Sequence, residues 1–499
     1  MEKGFLIKRI EESQDSYRKA KEKQYIKKYS QFFTSADIAL KMVETINVKH
    51  FSNLKSIKIL EPSAGCGMLI YAVVELIVEK TSIKTIFIDA YEIDTELSEI
   101  LKINTDFMRI YFESKYNIRL KIKIRNSDFI LEYIQNEQSF KSYNIIISNP
   151  PFKKIKHNSI EALFYKKLVF GQPNIYILFI AQSLKLLKNN GIYVLISPRN
   201  YLIGDYSKKL RHYIFNNFSL IHIHSFDRRN IFKDVNQEIV ISTYARKKGN
   251  DKITVSYNGK FSLYTDINKI IYSNEKMSFF IPKSSNDLEL LMNFACFKNT
   301  LNDLHLKLSV GPVVQFRSQK FIVENALGGD YVPLLISCDI QKDNKIIYYE
   351  RENNLSRKTH NKSISKECNK LVKNKRYVIL RKILALDDKT TIIPAVLEDD
   401  YFNSSFIGLD NNLLYLHSSD AEISMPREVC YGLYCYLNSK QFSIMFSLIN
   451  GTHTINISDF DNIKFPTLKE LEVLGKTLLE TKSYNKKVCS KILHSLLFV

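Results

Sequence analysis

Two consecutive prolines, Pro150 and Pro151, close a largely apolar run over residues 143–147 and are framed by Asn149 and Phe152. Neither proline has an N–H and each fixes φ, so a strand built on that run must end in a stiff turn just after Asn149. The turn holds an amide and an aromatic ring in fixed relation. In an open parallel sheet, ligands collect in the crevice beyond the carboxyl ends of the strands, which is where such a turn lies. Asn149 can accept a hydrogen bond from an amino group through its side-chain oxygen, the Pro150 carbonyl can accept a second, and Phe152 offers a π face. This set suits a flat, nitrogen-bearing substrate. Asn and Pro are also ordinary turn residues, and a plain strand exit capped by Asn149 satisfies the same pattern.

Upstream, the pattern predicts a strand, a glycine turn and a helix. An apolar run at 57–60 leads into Glu61-Pro62-Ser63-Ala64-Gly65-Cys66-Gly67, and a helix over 68–78 carries apolar Leu69, Ile70, Val73, Val74 and Ile77. Strand, glycine turn and helix open a nucleotide-binding α/β domain, because glycines let the backbone approach a ligand. The third glycine of the dinucleotide fingerprint is missing, and an acid, Glu61, ends the strand. An acid repels a pyrophosphate but attracts an ammonium group, which points away from NAD and toward S-adenosylmethionine. A second strand, 85–91, ends in Glu92-Ile93-Asp94. Glu92 is placed there to accept both hydroxyls of a ribose and Ile93 to pack on an adenine, while Asp94 reads more simply as a helix cap. A third strand, 120–125, leads to Asn126-Ser127-Asp128-Phe129. Either Asp128 takes an adenine amino group with Phe129 stacking beside it, or the segment is a polar turn with a core Phe. Ahead of all these, Gln31-Phe32-Phe33-Thr34-Ser35 precedes a helix, and Thr34 or Ser35 reads as its N-cap.

Beyond the proline turn, a helix is expected over 175–187, broken by Asn189-Asn190-Gly191 ahead of a strand at 192–196. Strands at 220–226 and 238–245 flank a basic loop, 228–233, whose Phe232 does not read as core. His222 and His224 share one strand face without a third ligand, so core or edge histidines are expected and no metal. After residue 248 the strand–helix alternation stops, which predicts two domains, 1–248 and 249–499. The first is α/β and Rossmann-like; the second, rich in short β-like runs, is mixed α+β. Lys and Arg exceed Asp and Glu by 72 − 52 = 20 and crowd the stretches 17–29 and 351–382. That excess implies a polyanionic partner, nucleic acid before membrane. Seven scattered cysteines, without C-x-x-C or zinc-ligand spacing, imply a reduced protein. No signal peptide and no apolar run of bilayer length is found, so the expected location is the cytoplasm, with no membrane partner.

Taken in this order, the segments resemble the amino-methyltransferases of DNA that act on adenine N6, of the class in which the cofactor motifs precede the catalytic motif and a target-recognition domain comes last. The likeness covers about the first half of the chain by motif and the second half by architecture only. It implies an S-adenosylmethionine-dependent methyltransferase domain followed by a DNA-recognition domain, with double-stranded DNA as partner. It further implies that Gln31-Phe32-Phe33-Thr34 is a cofactor segment and that Glu61, Pro62, Ala64, Gly65 and Gly67 form the loop around the methionine moiety. Glu92 would then hold the ribose, Asp128 and Phe129 the cofactor's adenine with Ile93 packed on it, and Asn149-Pro150-Pro151-Phe152 the target base, with Asn149 also beside the cofactor. Ile231-Phe232-Lys233 looks like the loop that stacks a second aromatic on a flipped base. Ser35 stands where a proline is common and Cys66 sits between the glycines; neither removes a group the mechanism needs. Residues 309–317 and 450–456 resemble recognition domains of restriction-modification methylases. N-P-P-F also occurs in RNA and protein-glutamine methyltransferases, against which the basic second region of about 250 residues argues. A non-catalytic DNA-specificity subunit is the other alternative, and the set Glu61, Glu92 and Asn149 speaks against it. No acidic triad with lysine stands at nuclease spacing, which leaves a restriction endonuclease to a separate chain.

Overall fold

The computed structural model describes residues 3–21, 32–137, 142–169, 171, 173–226, 231, 238–246, 251–273, 277–324, 326, 328–348, 362–383, 392–449, 454–461 and 463–497. Its first strands are β1 (Ser56–Glu61), β2 (Thr85–Tyr91), β3 (Arg119–Arg125), β4 (Tyr143–Ser148) and β5 (Leu187–Pro198). They are followed by β6 (Ser219–Ser225), β7 (Ile239–Ala245), β8 (Lys252–Tyr257) and β9 (Phe261–Asp266), and the sheet order is β3-β2-β1-β4-β5-β7-β6-β8-β9. The first five strands pair in parallel, and β7 enters antiparallel to β5. Parallel neighbours need crossovers, supplied here by helices Met68–Lys80, Thr95–Tyr116 and Ile175–Lys185. Ile145, Ile146 and Ile147 are wholly buried, as in a strand covered on both faces. This is the Rossmann-like α/β domain that the sequence predicts. Its order reverses between β1 and β4, so Glu61 and the proline turn close the two strands flanking the switch point, where open α/β sheets bind ligands.

Two details differ from expectation. The first compact unit runs from Met1 to Lys283, past residue 248, because β8 pairs parallel with β6 and β9 antiparallel with β8, extending the same sheet. β9 alternates half-buried with exposed side chains and so lacks a strong apolar signal in the sequence. Asn189-Asn190-Gly191 does not precede β5 but lies inside it, with Asn190 at φ +62 and the Asn190 and Arg246 amides tied across to the neighbouring strand. Asn tolerates that left-handed conformation, so the strand bends instead of ending.

The second unit, Ser284–Val499, is mixed α+β. A four-stranded antiparallel sheet takes Leu306–Val310, Leu413–Ser418, Tyr377–Arg381 and Pro394–Leu397 in that order. A five-stranded sheet takes Ile322–Glu324, Lys362–Ser365, Tyr331–Leu335, Phe406–Leu409 and Val372–Lys373. Helices Arg427–Asn438 and Leu468–Thr481 approach so closely that a Cβ at Gly432 or Gly475 would run into the facing backbone. Of the basic stretch 351–382, residues 351–361 lie outside the described residues, as do 450–453. Among the described residues no helix is long and apolar enough to cross a membrane. The seven cysteines are free.

Candidate active site

β1 and β4 are neighbours, with Ile59 opposite Ile145 and Leu60 opposite Ile146, so the Glu61 turn and the proline turn open into one crevice. A cavity of about 270 Å³ lies there, lined among others by Pro62, Gly65, Glu92, Ile93, Asp128, Phe129, Asn149 and Pro151. Four segments that are distant in sequence thus meet at the ends of β1, β2, β3 and β4. Gly65 and Gly67 have φ of +52 and +93, the left-handed values that the turn into the helix requires.

Glu92 is held by the backbone of two turns. The Gly65 N–H donates to its Oε2 at 2.8 Å and the Asp94 N–H to its Oε1 at 3.0 Å, while Asn126 Nδ2 donates to the Glu92 carbonyl at 2.9 Å. Burial pushes the Glu92 carboxyl up to about 7, and the two backbone donors counteract that only in part. Glu61 lies beneath the crevice at 1% exposure, and its Oε2 has no partner. Burial, with the charge of Glu92 added, holds its carboxyl well above the usual range. Two buried acids converge here, and among the described residues neither forms an ion pair with a cation, an arrangement that favours a cationic ligand. Ile93 is 50% exposed and turned to the cavity, unusual for an isoleucine and suited to a flat ring.

Asp128 and Asp94 both act as helix caps. Asp128 Oδ1 accepts from the Ile130 and Leu131 amides at 2.9 and 3.0 Å, and Asp94 accepts from Leu97. Burial raises the Asp128 carboxyl, and Glu161 raises it further. Both cap bonds fall on Oδ1. Phe129 is buried, edge-on to Tyr91 at 5.2 Å and tilted against Phe179 at 5.4 Å, so it is a core ring whose rim reaches the cavity.

Asn149 is fixed from two sides. Its Nδ2 donates to the Phe32 carbonyl at 2.6 Å and to Thr34 Oγ1 at 3.1 Å, and Ser63 Oγ donates to its backbone carbonyl at 3.0 Å. Both amide hydrogens are therefore used, and Oδ1 is buried without a partner. Thr34 does not cap the helix that follows. Ser35 takes the cap position, without a side-chain cap bond. Phe152 stacks on Phe32 with centroids 5.5 Å apart and stands edge-on to Tyr176 at 6.1 Å. Thr34, Glu61, Ala64, Gly67, Pro150 and Phe152 are not among the residues lining the cavity; Ala64 and Gly67 shape the turn through bonds to Tyr91 and Ala64 carbonyls. Phe232 lies outside the described residues.

Sequence reasoning missed Lys153, Ile155, Glu161 and Phe179, which complete the cavity wall. They are brought in by long-range pairing: the Ile175 amide donates to the Lys153 carbonyl at 2.7 Å and the Ile155 amide to the Pro173 carbonyl at 3.0 Å. No local periodicity signals such a bridge. His222 and His224 both bond Ser256 Oγ at 2.8 Å, and burial lowers each to about 4. Among the described residues no group of three or more potential ligands is arranged for a metal.

Residues 76–232 match the family described as Eco57I restriction-modification methylase. Similar proteins include the Type II methyltransferase M.BsuBI of Bacillus subtilis, 29% identical over 466 residues that span 90% of each chain. The Type II methyltransferase M.PstI of Providencia stuartii is 27% identical over 477 residues, covering 89% of this chain and 88% of its own. Among solved structures, the DrdV–DNA complex aligns with a TM-score of 0.49 at 11% identity, over 93% of this chain and 58% of that one.

Proposed function

We propose that the chain is a site-specific DNA adenine-N6 methyltransferase that uses S-adenosylmethionine and serves as the modification enzyme of a restriction-modification system. The observation that carries the reading is the Asn149 amide, whose two hydrogens are bound by the protein while its oxygen is buried and unpartnered at the cavity. A buried acceptor without a donor is costly unless a ligand supplies the donor. The relatives named above are methyltransferases that match along nearly the whole chain, which supports DNA as the substrate and a separate endonuclease as the partner in the cell.

The residues fit the cofactor. Ionised Glu92 has lone pairs left for ribose hydroxyls, the half-exposed Ile93 offers an apolar surface to adenine, and Asp128 has an oxygen beyond its cap bonds. Glu61, buried and half unpartnered, gains a counter-charge when a ligand ammonium enters nearby. Bound S-adenosylmethionine supplies an electrophilic methyl group.

The amino nitrogen of adenine is a poor nucleophile because its lone pair is delocalised into the ring. If Asn149 Oδ1 accepts one amino hydrogen and the Pro150 carbonyl the other, a pyramidal nitrogen with a free lone pair is favoured. Catalysis is then positioning and electrostatics in a fixed site. The proton of the product cation passes to water. Extruding the base costs a few kcal/mol, which stacking on Phe152 offsets in part. Reading of the duplex sequence falls to the second unit.

Incubation with duplex DNA and methyl-labelled S-adenosylmethionine, followed by digestion to nucleosides, tests this. Label in N6-methyl-2′-deoxyadenosine is expected. Label on cytosine, or incorporation into RNA or protein and not DNA, would overturn the reading.

A further inference from the structure

In the second unit, one loop combines a rigid base with an exposed aromatic tip. Phe316 sits in the short helical turn Gln315–Arg317 and is 76% exposed, more than any other exposed large apolar side chain among the described residues. A lone exposed apolar residue is ordinary. This one is held differently. The loop is clamped onto the turn around Asp410: the Gly311 amide donates to the Leu413 carbonyl at 2.9 Å, Val313 to Leu409 at 3.0 Å, and Asn411 back to Val313 at 2.9 Å. Gln315, next to the ring, donates to Asp410 Oδ2 and accepts from Lys362 Nζ at 2.5 Å. Any Cβ at Gly311 would run into the Asp410 carbonyl, so the close approach depends on glycine. Backbone and side chain are therefore fixed immediately ahead of a ring that faces solvent.

The surroundings of the ring are cationic. The Arg317 guanidinium lies 5.3 Å from its centroid, Lys320 follows one turn later, and Lys362 reaches Gln315. Asp410 is the acid of this cluster, and its Oδ2 is engaged by Gln315. An apolar ring presented among cations on a pre-ordered loop matches a nucleic-acid duplex, which offers phosphates to the cations and base faces to the ring. It matches an apolar protein groove less well, since the cations would be desolvated without partners.

We propose that Phe316 is a wedge that stacks against the bases of the bound duplex, with Arg317 and Lys320 on the adjoining phosphates. Aromatic side chains inserted between base steps unstack them locally, and the clamped loop lets this occur without ordering a flexible segment on binding. The proposal rests on DNA being the substrate, as inferred above, but concerns a residue of the second unit outside the methyl-transfer site.

The test uses the full chain and a duplex enriched by it from a pool of random sequences, with 2-aminopurine substituted in turn at each position. Phe316→Ala should weaken binding of the enriched duplex by about 5- to 150-fold, the range for loss of one base–aromatic stack. It should also abolish a 2-aminopurine fluorescence rise at one step, while Phe316→Trp retains both. Parental affinity and an unchanged fluorescence map for Phe316→Ala would overturn the wedge. Binding is measured independently of methylation, so an enzyme that fails to methylate adenine yet shows this pattern refutes the function above and leaves the wedge standing. A far-UV spectrum and melting temperature matching the parent confirm that the exposed substitution left the fold intact.

Discussion

Replacing Glu92 by Gln keeps the shape of the side chain and removes its charge. In the protein without cofactor the carboxyl titrates at about 7, because burial outweighs the two backbone donors Gly65 and Asp94. The ionised form is the strong acceptor for ribose hydroxyls, so cofactor binding draws on the ionised fraction, which is high above that pKa and shrinks as pH falls through it. With a pKa near 7 the fraction is about nine-tenths at pH 8 and about one-tenth at pH 6, so affinity should fall about tenfold between them. Gln has no such titration. It should bind more weakly at pH 8 by about 1–2 kcal/mol, the difference between a charge-assisted and a neutral hydrogen bond. Isothermal titration calorimetry with S-adenosylmethionine at both pH values provides the readout. The amino group of the ligand also titrates near this range, so the decisive quantity is the parental pH dependence minus that of Glu92→Gln. If the two lines are parallel, Glu92 is not the ribose acceptor, or its carboxyl is not raised by burial.

Two further outcomes follow from the same geometry. Phe152→Ala removes the ring stacked on Phe32, and capture of the extruded base, followed with 2-aminopurine at the target position, should weaken by about 1–3 kcal/mol while cofactor affinity is kept. Gly67→Ala forces a Cβ into a left-handed position 3.0 Å from Leu101 and 3.2 Å from Met108, which should destabilise the first unit by about 1–3 kcal/mol and lower its melting temperature.

Much of the site was legible because each strand of a parallel sheet announces both itself and its end. β2 spans the residues that its apolar run predicts, and the acids at or just beyond the ends of β1, β2 and β3 stand where the chain must turn. What was not legible depends on contacts far apart in sequence. Thr34 reads as a cap until Asn149, 115 residues away, is seen to use its hydroxyl. Asp128 serves as a cap and lines the cavity as well, so the two readings of that turn were not exclusive. The N-terminal helix Lys3–Ala20 gave no functional signal, yet its Tyr17 donates to Asp94 at 2.8 Å and its Gln14 to the Thr34 carbonyl at 3.1 Å. It thereby braces two turns of the site. The extent of the first unit differs from expectation because β8 and β9 join its sheet through backbone pairing to β6, a long-range contact that local sequence pattern does not announce.

The central claim is that the Asn149 oxygen is kept free for an amino group of the substrate. Single-turnover methyl transfer by Asn149→Ala, with duplex and cofactor both saturating, tests it most directly. The account predicts a rate at least about 100-fold below the parent, with duplex affinity nearly unchanged, since the lost interaction acts on the reacting nitrogen and not on the DNA-reading surface. A variant that methylates adenine at the parental rate would contradict it, and the turn Asn149-Pro150-Pro151-Phe152 would then be only the exit of a strand.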